Sequence, residues 1–178
     1  MNFERIEADY FEALSEFQKD PYVFIDLWPG DNYVGHLQVT IRGAAGTPYA
    51  GGNFVFEIKM FSDYPFSPPG VFCHTPIWHP NIALNRSPPT KNSWRDNVCF
   101  DIIDPRRVGK VDPVTQTAGW TPTRDLTMLI EALKLMIHMF PPFFNPDDPL
   151  NEEAAKHYVE DRKGFMHKAK EMTDRYAR

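Results

Sequence analysis

The spacing of the apolar residues changes twice along this chain, and those changes limit the folds open to it. Residues 2–19 place apolar side chains at helical spacing with charged residues between them. Residues 36–41 and 54–58 instead alternate between apolar and polar side chains, which is the period of a strand. Because the glycine-rich segment 43–52 joins the two alternating runs, they predict an antiparallel hairpin.

Helical spacing returns in the last third of the chain. Thr121 before Pro122 predicts a helix start, with threonine as the N-cap and proline at the first helical position. The apolar residues of this helix reach Ile137, ahead of a Pro-Pro pair at 141–142. Asn151 predicts the cap of the next helix. A last amphipathic helix carries Phe165, Ala169, Met172 and Tyr176.

The order of these segments predicts an α+β fold. An N-terminal helix precedes a meander of about four strands, one of them at 71–74, and C-terminal helices follow. Residues 77–120 show no period and are rich in proline, and so long an irregular region in a compact domain is usually functional, disordered or the sign of a wrong assignment. The length of 178 residues predicts a single domain over 1–178.

Composition excludes several functional classes. A net charge of −5 and a pI of about 5.6 argue against nucleic-acid binding, which needs a basic surface. No apolar run is long enough to span a membrane. Two cysteines, Cys73 and Cys99, cannot form a disulfide scaffold, so we expect a reducing compartment, the cytoplasm and/or the nucleus.

A series of short motifs occupies the proline-rich part of the chain. They read YAGG at 49–52, DYPFSPP at 63–69, WHPNI at 78–82, NVCFDI at 97–102, GWTP at 119–122 and NPDDPL at 145–150. In this order they resemble the ubiquitin-conjugating enzyme family, over a stretch from about residue 6 to the C-terminus. The resemblance implies the ubiquitin-conjugating (UBC-like) fold, with a four-stranded antiparallel meander sheet.

The resemblance also implies a chemistry that suits these residue types. A cysteine thiolate takes a modifier protein from a thioester on an activating enzyme, and a lysine amine then attacks the new thioester. The resemblance assigns the nucleophile to Cys99. It assigns Asn81 to oxyanion stabilisation, or to support of the loop that provides it. His79 would hold the turn that aims Asn81, and Asp148 would orient or deprotonate the lysine, with Asp147 as a substitute.

Binding roles follow from the same resemblance. Phe66, Pro122 and Thr123 match positions that contact ligase domains, so a RING-type ligase is the expected partner. Arg5 and the first helix match the family's surface for the activating enzyme. The other expected partners are the modifier and substrate lysines, with neither nucleic acid nor membrane. No cofactor or metal is expected, because the activating enzyme consumes the ATP.

The chain departs from the family pattern on both sides of Cys99. His79 and Cys99 are 99 − 79 = 20 positions apart, roughly twice the usual spacing, although a looped-out hairpin absorbs extra length at small entropic cost. The added residues lie at about 83–95, and Asp96 stands where the family usually has glycine. A second insertion of mixed charge occupies about 104–118.

The sequence leaves the modifier and two other functions open. GWTPTR at 119–124 and the RYAR ending resemble a neddylation-type enzyme. Because the sequence begins almost at its first helix and contains DYPFSPP, the interpretation favours ubiquitin. A catalytically silent UBC-like binding module and a cysteine hydrolase using His79 and Cys99 are the alternatives. A metal site at Cys73, His74 and His79 is disfavoured because a fourth ligand is not apparent.

Overall fold

The computed structural model describes residues 2–84, 87–90, 94, 96–99, 103, 108–110 and 119–178. Its elements follow the predicted order of a helix, a meander of strands and three helices. In chain order they are α1 (Phe3–Glu16), β1 (Val23–Leu27), β2 (His36–Arg42), β3 (Asn53–Lys59), β4 (Gly70–Cys73), α2 (Leu126–Ile137), α3 (Glu152–Glu160) and α4 (Arg162–Tyr176). The predicted α+β fold is therefore confirmed.

The sheet is a four-stranded antiparallel meander in the order β1-β2-β3-β4. Alternate side chains of β2 and β3 are fully buried on one face, as the period of two predicts. Helix α2 packs against that face, where it contacts β2. The fully buried strand residues are Leu37, Val39, Ile41, Phe54, Phe56 and Ile58.

The other face of the sheet carries a polar network that joins three strands. Glu57 on β3 accepts hydrogen bonds from His36 at 2.6 Å and from His74 at 2.7 Å. Trp28 stacks on the imidazole ring of His36 at a centroid distance of 5.4 Å, and its ring is tilted against that of His74 at 5.1 Å. His36 also bonds Asp31 at 2.8 Å, and this hydrogen bond lowers the pKa of the Asp31 carboxyl. The network shields the carboxylate of Glu57, which is 6% exposed.

Four helix N-termini are capped by asparagine or aspartate side chains. Asn2, Asp125, Asn151 and Asp161 each accept a hydrogen bond from a backbone N–H in the first turn. The cap at Asn151 confirms the prediction for that helix. Within the part of the chain that the structure describes, no helix is both long and apolar enough to cross a membrane.

The predicted helix start at Thr121-Pro122 is wrong. The Thr121 carbonyl accepts the Arg124 N–H at 3.0 Å, which closes a turn before the helix begins. Asp125 is the cap, and its carboxylate accepts the Met128 N–H at 2.8 Å. An aspartate is among the strongest N-cap residues, so it displaces the helix start four residues along the chain. The first helix also ends at Glu16 instead of residue 19.

Candidate active site

The turn at residues 79–82 is built around a buried imidazole. His79 accepts the Asn81 N–H at Nδ1 over 3.0 Å, and its Nε2–H donates to the Met136 carbonyl over 3.0 Å. One acceptor and one donor nitrogen describe a neutral ring. Burial lowers the pKa of His79 to about 4, so the ring stays neutral at physiological pH. His79 therefore bonds the turn to α2, and its two fixed hydrogen bonds do not suit a general base.

Asn81 connects this turn to two other segments. Its backbone carbonyl accepts the Cys99 N–H at 2.9 Å, which places the cysteine directly beside the turn. Its side-chain Nδ2 donates to the carbonyls of Asn145 at 2.9 Å and Asp148 at 3.3 Å, while Oδ1 accepts the Asn145 N–H at 2.8 Å. Asn81 is 2% exposed, and its side chain makes three hydrogen bonds to the backbone of the 145–148 loop. Of the two roles predicted for Asn81, this geometry matches support of the loop.

The neighbouring proline adds a second attachment of the same loop. The Pro80 carbonyl accepts the backbone N–H groups of Leu150 at 2.8 Å and Asn151 at 2.9 Å. The turn thus holds the segment from Asn145 to the start of α3. Asp147 and Asp148 lie on this held segment, and both are exposed to solvent. The structure accordingly brings Asn81, Cys99 and the backbone of Asp148 together, as the motifs predicted.

The first insertion does not displace Cys99, because its two ends meet. The Ala83 N–H donates to the Asn97 carbonyl at 2.8 Å, and residues 82 and 98 form a β-bridge. The two ends of the insertion are therefore held next to each other. Residues 85–86, 91–93 and 95 lie outside the described residues, and the described Trp94 packs edge-on against Phe61.

Asn97 anchors the cysteine segment to the sheet, a role that the sequence analysis missed. Its buried amide accepts the Cys73 N–H at 2.7 Å and donates to the Cys73 carbonyl at 2.8 Å. Beside it, the Asp96 carboxylate accepts the Val71 N–H at 2.9 Å. The sequence signal for this role was the polar pair Asp96-Asn97 directly before the apolar run that contains Cys99. Polar side chains in such a place can hydrogen-bond the backbone groups of an edge strand.

The two cysteines have different environments, and neither is in a disulfide. Cys73 is 3% exposed, and burial raises the pKa of its thiol to about 12. Cys99 is half-buried on the segment beside Asn81. Among the residues that the structure describes, no group of three or more His, Cys, Asp and Glu side chains is arranged to hold a metal ion.

Three of the four predicted binding residues lie on two segments that are joined by a buried tryptophan. Trp120 donates its indole N–H to the Pro65 carbonyl at 2.7 Å, which ties the 63–69 loop to the 119–122 segment. Phe66 on the first loop is 70% exposed, and Pro122 and Thr123 on the second segment are also exposed. The Trp120 hydrogen bond therefore connects the two segments that carry these three residues.

The position of Arg5 is more constrained than the sequence suggested. Its guanidinium pairs with Asp9 at 3.0 Å and donates to the Arg124 carbonyl at 2.7 Å. These bonds attach α1 to the segment that follows Trp120. The 104–118 insertion falls almost wholly outside the described residues, apart from 108–110, where the Gly109 N–H donates to the Trp120 carbonyl at 2.8 Å.

The lowered pKa of His79 predicts acid sensitivity. The unfolded chain binds a proton at His79 near pH 6.5, whereas the folded chain binds it only near pH 4. The unfolded state therefore carries more protons between these values, and stability falls as pH falls through this window. We expect His79 to reduce the free energy of unfolding by about 3 kcal/mol between pH 7 and pH 4.

Urea unfolding of the wild type and His79→Gln across pH 7.5 to 4 measures this contribution. The substitution itself lowers the free energy of unfolding by an amount that does not depend on pH. The quantity to compare is therefore the slope of the free energy of unfolding against pH. A shallower slope in the variant is expected, because the other titrating groups are common to both proteins. Equal slopes would show that the imidazole does not stay neutral in the folded state.

Comparisons with known proteins agree with this geometry. The family model described as Ubiquitin-conjugating enzyme matches residues 5–173. Proteins described as NEDD8-conjugating enzyme UBE2F from Danio rerio and Gallus gallus are each 34% identical over 151 residues, covering 85% of this chain and 70% of the relative. A solved structure of a Toxoplasma gondii ubiquitin conjugating enzyme E2 domain has a TM-score of 0.69 and 27% identity, and the match covers 98% of this chain and 100% of that one.

Proposed function

Because the chain belongs to the ubiquitin-conjugating enzyme family, a group of transferases that act through a cysteine thioester, we propose that Cys99 is the residue that carries the modifier. The single observation that supports this assignment most is the hydrogen bond from the Cys99 N–H to the Asn81 carbonyl at 2.9 Å. It ties the cysteine to the HPN turn even though the sequence between them is longer than the family pattern.

The proposed reaction has two acyl transfers. The Cys99 thiolate attacks the carbonyl carbon of the modifier's thioester, forming a new S–C bond and releasing the thiolate of the activating enzyme. A lysine amine then attacks the same carbon, a C–N bond forms, and the Cys99 thiolate leaves. The amine loses a proton during this step, and Asp148 on the loop held by Asn81 is the group we assign to orient or accept it.

Asn81 acts in this proposal through the loop. Its two amide hydrogens bond the carbonyls of Asn145 and Asp148, so they fix the backbone on which Asp148 is carried. His79 acts one step further back, because its Nδ1 holds the Asn81 N–H. Both are positioning residues in this scheme, and neither exchanges a proton with the substrate.

For the modifier, we propose the neddylation branch. Both curated relatives described above are named as NEDD8-conjugating enzymes, and they match most of this chain. The GWTPTR segment and the RYAR ending point the same way. Ubiquitin is the second candidate, because the solved structure that matches 98% of this chain is named as a ubiquitin conjugating enzyme domain.

The family implies a modifier, an activating enzyme and a ligase as partners. We propose that the ligase is of the RING type and binds at the exposed Phe66, Pro122 and Thr123. We place the activating enzyme on α1 near Arg5. The buried, unoxidised Cys73 and the nucleophilic role of Cys99 fit a reducing compartment such as the cytoplasm or nucleus.

A loading assay tests the proposal. The protein is mixed with ATP and either the NEDD8-activating enzyme with NEDD8 or the ubiquitin-activating enzyme with ubiquitin, and a non-reducing gel follows. We expect a thiol-sensitive band heavier by one modifier with NEDD8. The same band with ubiquitin alone would overturn the choice of modifier and leave the role of Cys99 intact. No band with either modifier, from folded protein, would favour the silent binding module.

A further inference from the structure

The two edges of the sheet differ in how their backbone groups are satisfied. On β4, the outward N–H groups of Val71 and Cys73 donate to the side chains of Asp96 and Asn97 at 2.9 and 2.7 Å. The Asn97 amide returns a hydrogen bond to the Cys73 carbonyl at 2.8 Å. These side chains cover the β4 edge as a neighbouring strand would.

The β1 edge has no such cover among the residues that the structure describes. The Tyr22 carbonyl accepts the Arg42 N–H at 2.8 Å, and the Trp28 N–H donates to the His36 carbonyl at 2.9 Å. In an antiparallel pair the groups two residues apart face the same neighbour, so Phe24 and Asp26 also bond β2. The N–H and C=O groups of the remaining β1 residues therefore point away from the sheet. These residues are Val23, Ile25 and Leu27; Ile25 and Leu27 are partly exposed, whereas Val23 is 3% exposed, so the open part of the edge is at Ile25 and Leu27.

A groove of about 540 Å³ lies along this open edge, between β1 and the end of α1. Its helix side presents the apolar side chains of Leu14 and Phe17 and the polar side chains of Ser15 and Gln18. Because a strand added to β1 would place every second side chain over this groove, the groove suits apolar residues at alternate positions.

The opposite side of the open edge favours a different set of side chains. Phe24 is 46% exposed there, and Asp26 is exposed beside it. Across an antiparallel pair, an aromatic or β-branched residue pairs well with phenylalanine, and Lys or Arg pairs well with aspartate. The edge thus specifies an alternating sequence, with a basic residue opposite Asp26.

From these features we propose that the β1 edge binds an extended segment of a partner protein as an antiparallel fifth strand. The segment is apolar at the positions opposite Val23, Ile25 and Leu27, and carries Lys or Arg opposite Asp26. This mode of recognition takes affinity from main-chain hydrogen bonds and specificity from alternate side chains. The site lies outside the residues assigned to modifier transfer.

Charge favours a basic segment over a second copy of this chain. The exposed acidic side chains of Glu12 and Glu16 lie on α1, whose C-terminal end forms one wall of the groove. Pairing two β1 edges would bring two such helix ends together on a chain with net charge −5. Like charges oppose the association of two copies, whereas a basic peptide is attracted to these acidic side chains.

The probe is the acetylated peptide Lys-Val-Lys-Val-Tyr-Val-Lys, in which the three valines oppose Leu27, Ile25 and Val23. Amide hydrogen exchange of the full-length ¹⁵N-labelled protein is followed by NMR as the peptide is added. We expect slower exchange at Ile25 and Leu27 when the peptide binds. Exchange at Phe24 and Asp26 is expected to stay constant, because their N–H groups already bond β2.

Two N-methylated peptides provide a matched control. N-methylation of the three valines removes the donors that face β1, and this peptide is expected to lose binding. N-methylation of the central Lys and the Tyr removes donors that face away, so this peptide is expected to bind as the parent does. Equal loss with both peptides would overturn the proposal, as would peptide binding without protection at Ile25 and Leu27.

Charge reversal tests the predicted register. Asp26→Lys is expected to weaken the parent peptide about two- to fivefold and to favour, by a similar factor, a peptide with Glu at the central Lys. The control Glu160→Lys, at an exposed site on α3, is expected to leave both affinities unchanged. Protection of the same amides without peptide, rising with protein concentration, would identify a second copy as the occupant and overturn the proposal. Absence of peptide binding at millimolar concentration would do so as well.

Discussion

A Cys99→Ala variant is expected to form no thioester with any modifier, although it should fold. Alanine has no nucleophilic atom, so the first acyl transfer has no acceptor. Cys99 is only half-buried, and its segment is held by the backbone bond to Asn81 and by the Asn97 side chain, which the substitution leaves in place. The loading assay on a non-reducing gel, with circular dichroism to verify folding, measures this result. Cys99→Ser should instead give an ester band that survives reductant.

Cys73→Ala is the matched control for this experiment. Its thiol is buried, and the raised pKa of about 12 leaves almost no thiolate at neutral pH. Loading of Cys73→Ala is therefore expected to match the wild type once a modest loss of stability is allowed for. If Cys99→Ala still formed a thiol-sensitive band and Cys73→Ala did not, the assignment of the nucleophile would be wrong.

The fold was predictable wherever one periodicity dominated a segment. The alternation in β2 and β3 arises because one face of each strand lies in the core, and the order of the segments then fixed the α+β class. β1 was not singled out, because apolar side chains lie on both of its faces: Ile25 points to the core, whereas Phe24 is exposed. An exposed phenylalanine on an edge strand removes the alternation on which the prediction depends.

Element boundaries were less predictable, because they depend on competition between neighbouring residues. Thr121 and Asp125 are both acceptable N-caps, and only the structure shows that the earlier residue closes a turn instead. The sequence also left the modifier open. The interpretation favoured ubiquitin, whereas the two curated relatives described above are named for NEDD8 and the solved structure is named for ubiquitin.

The motifs indicated which residues form the candidate site. They did not indicate the contacts that hold those residues together. The HPN and cysteine motifs are close in space because the Ala83 N–H bonds the Asn97 carbonyl, which brings the two ends of the insertion together. The order of the motifs in the sequence does not reveal this contact. Asn97 makes long-range bonds to the backbone of Cys73, 24 positions earlier. No local period or propensity reports such a contact, because it depends on which strand forms the edge of the sheet.

The second large effect is expected at Asn81. Asn81→Ala removes the three side-chain hydrogen bonds that hold the 145–148 loop, and it leaves the Asn145 and Asp148 carbonyls without these donors. We expect transfer from the loaded enzyme to free lysine to slow by about 10²-fold, the loss that a displacement of about 1 Å at a reacting group can cause. Loading is expected to fall much less, since thioester exchange needs little assistance. Single-turnover discharge and initial loading rates, measured on one preparation, give both numbers.

A double-mutant cycle with Asp148 separates the two roles that were predicted for Asn81. If Asn81 works by positioning the loop that carries Asp148, then Asp148→Ala costs little more once Asn81 is already alanine, and the two effects on transfer are not additive. Direct stabilisation of the oxyanion by the Asn81 amide would instead give nearly additive effects. Asp147→Ala, at the adjacent exposed carboxylate, is the control and is expected to change transfer by less than about threefold. An equal fall in loading and transfer for Asn81→Ala would show that the residue serves folding alone, because only the transfer step uses the loop it holds.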